Sequence, residues 1–189
     1  MTTEELAKIS GFLDNNQIEE LKYYIECKKI GHFNQSRQYY FENYLENVQK
    51  QNKTILFEDK KEHRIICSNG ISLYYINSEY IMPNSPRIIH NQLCQRATIE
   101  TIQKLEQRIE KHVSELTSAD WWNRQAEITR VEHEDGADGI THDFKTLEIV
   151  MIDRLLGKAT FKLDKTNPVL YAESEVGHAY VLGLRKPQI

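Results

Sequence analysis

In the last third of the chain apolar and polar positions alternate with a period of two. Across residues 158–164, Ala159, Phe161 and Leu163 alternate with Lys158, Thr160, Lys162 and Asp164. Successive strand side chains point to opposite faces, so the pattern predicts an antiparallel strand. Phe161 and Leu163 are expected on its dry face, Lys162 and Asp164 on its wet face. Residues 147–152 are apolar at both parities except Glu148, which predicts a central strand covered on both sides, followed by a turn at Gly157. Residues 169–174 and 179–184 read as two more strands. Pro168 ends the turn before the first, and Glu173, Glu175 and His178 crowd the connection between them. Such short turns predict a meander of sequential neighbours.

Upstream the period changes to that of a helix. Leu6, Ile9 and Leu13 mark one helix. Ile18, Leu21 and Ile25 mark a second, capped by Asn16 and ending near Lys29. Tyr40, Tyr44 and Val48 mark a third over residues 36–51. Residues 54–57, 63–68 and 71–76 are then β-rich. Asn69 and Gly70 between the last two predict a type I′ hairpin turn, with positive φ at both. Thr98 reads as the cap of the longest helix, running to Ser118. Ile102, Leu105, Ile109, Val113 and Leu116 lie on its dry side, and Glu106, Lys111 and Glu115 on its wet side. Trp121 and Trp122 follow at the handover to the second β segment.

Helices and strands in separate runs define an α+β class. The expected order is N-terminal helices, a β-hairpin, one long helix and a C-terminal antiparallel β-meander. Residues 1–53 would form a helical N-terminal region and residues 54–189 an α+β domain, or the two together a single domain.

Composition narrows the function classes. The 189 residues are 40% hydrophobic and 28% charged, which is globular, and the formal net charge is −4. A mildly acidic balance argues against nucleic acid as the main partner, since phosphate contact needs clustered Lys and Arg. Residues 32–41 do mix aromatics with Arg37, but with so little positive charge their spacing predicts packing rather than base stacking. The three cysteines, Cys27, Cys67 and Cys94, form no CxxC pair, and reduced thiols suit a cytoplasmic protein. The first residues are acidic and no apolar stretch follows them, so no secretory signal and no membrane span are expected. Abundant Asn, Lys, Ile and Tyr are what AT-rich codons supply, pointing to a low-GC bacterium or its phages.

The densest polar stretch is residues 132–143. His133, Asp135, Asp138, His142 and Asp143 are suitable ligands for zinc, manganese or iron, and Gly136 and Gly139 would let the backbone fold them inward. The spacing is not that of an EF-hand. Neither GxxxxGK(S/T), GxGxxG nor GxSxG occurs, so phosphate loops and a nucleophile elbow find no support. The favoured expectation is a small cytoplasmic protein-binding or inhibitory accessory protein without a cofactor. Its partner would be another protein or a second copy, with Trp121 and Trp122 at the contact. The alternatives are a divalent-metal-dependent hydrolase built on the loop at 133–143 and a nucleic-acid-associated protein.

Overall fold

The computed structural model describes residues 13–49, 54–119, 121–124, 126–132 and 141–184. In chain order its helices are α1 (Asn15–Lys29), α2 (Gln35–Gln49), α3 (Pro86–His90), α4 (Ile99–Glu110) and α5 (Thr146–Leu156). Its strands are β1 (Ile55–Asp59), β2 (Arg64–Ser68), β3 (Ser72–Asn77), β4 (Gln95–Arg96), β5 (Leu116–Ser118), β6 (Trp121–Arg124), β7 (Ile128–Glu132), β8 (Thr141–Lys145), β9 (Thr160–Asp164), β10 (Val169–Ser174) and β11 (Gly177–Leu182). The class is α+β. One sheet has eight strands in the order β4-β1-β2-β3-β11-β10-β9-β5, antiparallel except where β4 joins β1. The C-terminal meander β9-β10-β11 is as expected, and it continues the N-terminal hairpin sheet through the β3–β11 pair. A second sheet, β6-β7-β8, adds Val131 and Phe144 to the main core.

That core lies on one face of the large sheet. Phe41, Tyr44 and Leu45 of α2 pack there beside Ile149, Ile152 and Leu155 of α5. Residues 146–156 overturn the expected central strand. A six-residue apolar run does not distinguish the two periods. Leu155 and Leu156 extend it so that Ile149, Ile152 and Leu156 recur at helical spacing, while Leu147 is left 61% exposed. Gly157 ends the helix. Glu148 is buried, and its carboxylate accepts from Asn69 Nδ2 at 2.8 Å, tying the hairpin to α5.

The hairpin turn also departs from expectation. Asn69 N–H donates to the Ser72 carbonyl, so the central pair is Gly70 and Ile71, and only Gly70 has positive φ (+82°). Glycine at the first central position suits a type II′ turn. The Asn69 side chain accepts from the Ile71 and Ser72 amides instead of sitting in a left-handed conformation.

Helix α1 begins two residues earlier than predicted, because Asp14 and Gln17 form a capping box. Helix α4 starts at Thr98 as expected but stops at Glu110, and Leu116 lies in strand β5. The structural reason is Asp164. Expected in solvent, its side chain is fully buried. It accepts from the amides of Ser114 (2.6 Å), Glu115 (2.9 Å), Thr166 (3.0 Å) and Asn167 (2.7 Å), and from the Ser114 hydroxyl. Burial alone would raise its pKa, but these backbone donors together hold it below the ordinary value. The chain leaving α4 is thereby fastened to the β9–β10 turn and continues as an edge strand. On β9, Leu163 is buried and Lys162 exposed as expected, whereas Phe161 is only half-buried.

Candidate functional site

The opposite face of the large sheet is only half covered. Two cross-strand rows run across it. One is Phe57–Ile66–Tyr75–His178–Glu173–Thr160 and the other is Ile55–Ser68–Leu73–Tyr180–Tyr171–Lys162. Over β2 and β3 the rows are apolar apart from the buried Ser68, and Ile102 and Ile109 of α4 pack on Ile66, Leu73 and Tyr75. Beyond β3 the same rows turn aromatic and charged. His178, Tyr171 and Tyr180 are half-buried, and Glu173 and Lys162 are exposed.

Where α4 ends its cover a groove opens, about 260 Å³ in volume. Arg64, Tyr75, His178 and Tyr180 form its floor, and Glu106, Ile109 and Glu110 form the helix wall. The Tyr75 hydroxyl donates to Glu106 Oε1 at 2.7 Å, so Glu106 is half-buried and not in free solvent as its helical phase suggested. His178 stacks on Tyr75 with centroids 4.4 Å apart and planes at 17°. Tyr171 and Tyr180 lie 5.0 Å apart. Arg64 sits 5.2 Å over Tyr75 and Lys162 lies 5.8 Å over Tyr171. Arg64 is neutralised by Asp59, 3.1 Å away.

The electrostatics follow from half-burial among carboxylates. Burial pushes the His178 imidazole below its ordinary value. Glu173 opposes that, Arg64 adds to it and Glu106 opposes it, so the net effect favours the neutral ring. Burial and the Glu173 carboxylate push Tyr171 up to about 12. Tyr180 is raised by burial and then by Glu110, Glu173 and Glu106, which places three carboxylates around one phenol.

The residues predicted from sequence fall elsewhere. Of the proposed metal ligands, His133, Asp135 and Asp138 lie outside the described residues. His142 and Asp143 are neighbours on β8, so their side chains point to opposite faces. His142 Nε2 lies 3.1 Å from the Asp164 carbonyl, and Asp143 receives Arg130 Nε at 2.9 Å and Nη2 at 3.3 Å. Among the described residues no three His, Cys, Asp or Glu side chains are grouped to hold a metal ion. Trp121 and Trp122 belong to β6, not to a helix end, and their side chains lie outside the description. In the 32–41 stretch Phe41 is fully buried. Arg37 donates to the Leu155 carbonyl at 2.8 Å and lies over Tyr80, so this stretch is packing.

Two larger hollows, about 670 and 540 Å³, flank α1. The first is lined by residues of α1 and α3, among them Leu21, Tyr24 and Arg87. The groove beside α4 is framed wholly by described elements. Sequence reading marked His178 and Glu173 only as parts of an acidic turn. The signal for the rest was their parity: Tyr171 with Glu173, and His178 with Tyr180, are two residues apart on strands whose other face is apolar.

No family model, no curated protein and no solved structure matches this chain. Fold and site thus define an α+β protein with a half-open aromatic sheet face. No helix among the described residues is long and apolar enough to cross a membrane.

Proposed function

We propose that the protein is a binding module, an accessory or inhibitory factor that acts on another protein through the uncovered half of its large sheet. One observation carries this reading: the half-buried rings of Tyr171, Tyr180 and His178 form a surface at the mouth of a groove, over the buried Tyr75 ring and beside Arg64 and Lys162. Tyrosine and arginine are enriched at interface hot spots, and tyrosine buries a large area with little loss of side-chain freedom. Rings held at fixed angles by their strand partners are also pre-organised, which lowers the cost of binding. A reducing compartment such as the cytoplasm fits the cysteines, since Cys27, Cys67 and Cys94 are all free thiols whose pKa burial raises.

The test is affinity capture with cross-linking, comparing wild type with the double variant Tyr171→Ala/Tyr180→Ala and with Tyr24→Ala on α1 as control. A partner retained by wild type and by the control, and lost from the double variant, is the expected result. Retention of the same partner by all three would refute the reading. If the partner is a second copy of the chain, the native mass is doubled and the double substitution halves it.

A further inference from the structure

The charge lining the groove says what its occupant is. Glu106 and Glu110 project from the helix wall, and Glu173 stands beside His178 in the same cross-strand row. Against these three carboxylates stand Lys162, already over Tyr171, and Arg64, already matched by Asp59. Burial disfavours a charge on His178. The groove is therefore negative and walled by aromatic rings, the arrangement that attracts a cation to a ring face. The face already takes cations from its own chain, since Arg64 lies over Tyr75 and Lys162 over Tyr171. A volume of about 260 Å³ falls below the roughly 300–1,000 Å³ of small-molecule sites, and suits one long side chain.

Resting on the binding reading above, we infer that the groove captures an arginine side chain of the partner protein. The guanidinium would lie against Tyr180 and be held by Glu106 and Glu110. Arginine fits better than lysine because its planar group stacks on a ring and offers a fork of donors to two carboxylates at once. Glu106 retains capacity for this: the Tyr75 hydroxyl donates to Oε1, and a carboxylate has two oxygens.

The test is an NMR titration of the full chain, following the His178 and Tyr180 ring resonances. The probes are acetyl-Gly-Arg-Gly-amide, the same peptides with Lys or Glu at the centre, and a short oligothymidylate. The arginine peptide should shift both residues saturably, more strongly than the lysine peptide and less at high salt. The glutamate peptide should leave them in place. Glu110→Gln, at an exposed position, should weaken the arginine peptide about tenfold, the equivalent of one charge-assisted contact, while Lys104→Gln on the same helix should not. Equal response to arginine and glutamate peptides, or no change with Glu110→Gln, would overturn the inference. Shifts produced by the glutamate peptide or the oligothymidylate alone would overturn it while leaving a binding groove. Silence of both residues to every probe, with the captured partner still lost from the double variant, would overturn it and move the contact to the outer part of the face.

Discussion

The two faces of the large sheet share every strand and differ in nearly everything else. One face is closed by α2 and α5 and buries Tyr74, Ile76, Leu170 and Ala179 completely. The other is closed by α4 over β2 and β3 alone, and the remaining strands present Tyr171, Tyr180, His178 and Lys162. Alternation allows this, because a strand's two parities are independent of one another. One parity can be fixed by packing while the other is left for recognition. Substitutions on the closed face should therefore cost stability, and those on the open face should cost binding.

The largest effect is expected where the two halves of the sheet are sewn together. Gly177 has φ +152° and lies opposite Ile76, and a Cβ there would stand 1.9 Å from the Tyr75 carbonyl oxygen. Backbone cannot yield as a side-chain tip does. Gly177→Ala should lower unfolding free energy by more than about 3 kcal/mol in denaturant titration. Gly31→Ala, with nothing within 4 Å, is the control. Similar midpoints for the two would show that the seam is not strained.

The comparison itself is tested by Ile152→Ala against Tyr171→Ala. Ile152 is fully buried on the closed face, and its truncation should cost about 2–5 kcal/mol. Tyr171 is half-buried on the open face, and its loss should cost about 1 kcal/mol or less. Comparable losses would mean that the open face is part of the core.

Asp164→Asn should destabilise by about 2–3 kcal/mol, since it removes a charged acceptor from four amides. The pH dependence has a definite sign. The folded pKa lies below the ordinary 3.8, so the carboxylate's contribution is complete above that value and is lost as pH falls through the lower folded one. Acid unfolding curves of wild type and Asp164→Asn should converge there.

The smallest effect concerns His178. Its folded pKa is below the ordinary 6.5, so the neutral ring's contribution is present above about 6.5 and declines as pH falls toward the folded value. The groups facing it are Tyr75, Tyr171, Tyr180, Glu173, Arg64 and Glu106. Protonation adds a positive charge among them, so an arginine ligand should bind more weakly in acid. His178→Gln should flatten both profiles.

Much of the fold was legible because period-two and period-3.6 patterns reflect burial directly. The meander, the hairpin strands and the α4 cap at Thr98 all follow from them. The misread parts were decided by contacts distant in sequence. Residues 147–152 become helical through packing on α2 and β3, and Asp164 is buried because donors from residues 114 and 115 reach it. Part of the site was legible only in retrospect. Tyr75 and His178 are about a hundred residues apart, and their stacking depends on the β3–β11 register, which no local pattern encodes.

Asp164 has a further consequence for how the molecule breathes. The amides it holds belong to two separate segments, the exit of α4 and the β9–β10 turn. All four amides share one carboxylate, so they should become accessible to solvent deuterium together, as one opening unit, when its grip is lost. That unit ends at the last turn of α4, next to Glu106 and Glu110. A slow, shared exchange rate at Ser114, Glu115, Thr166 and Asn167 would therefore time the rigidity of the groove's wall from outside the groove.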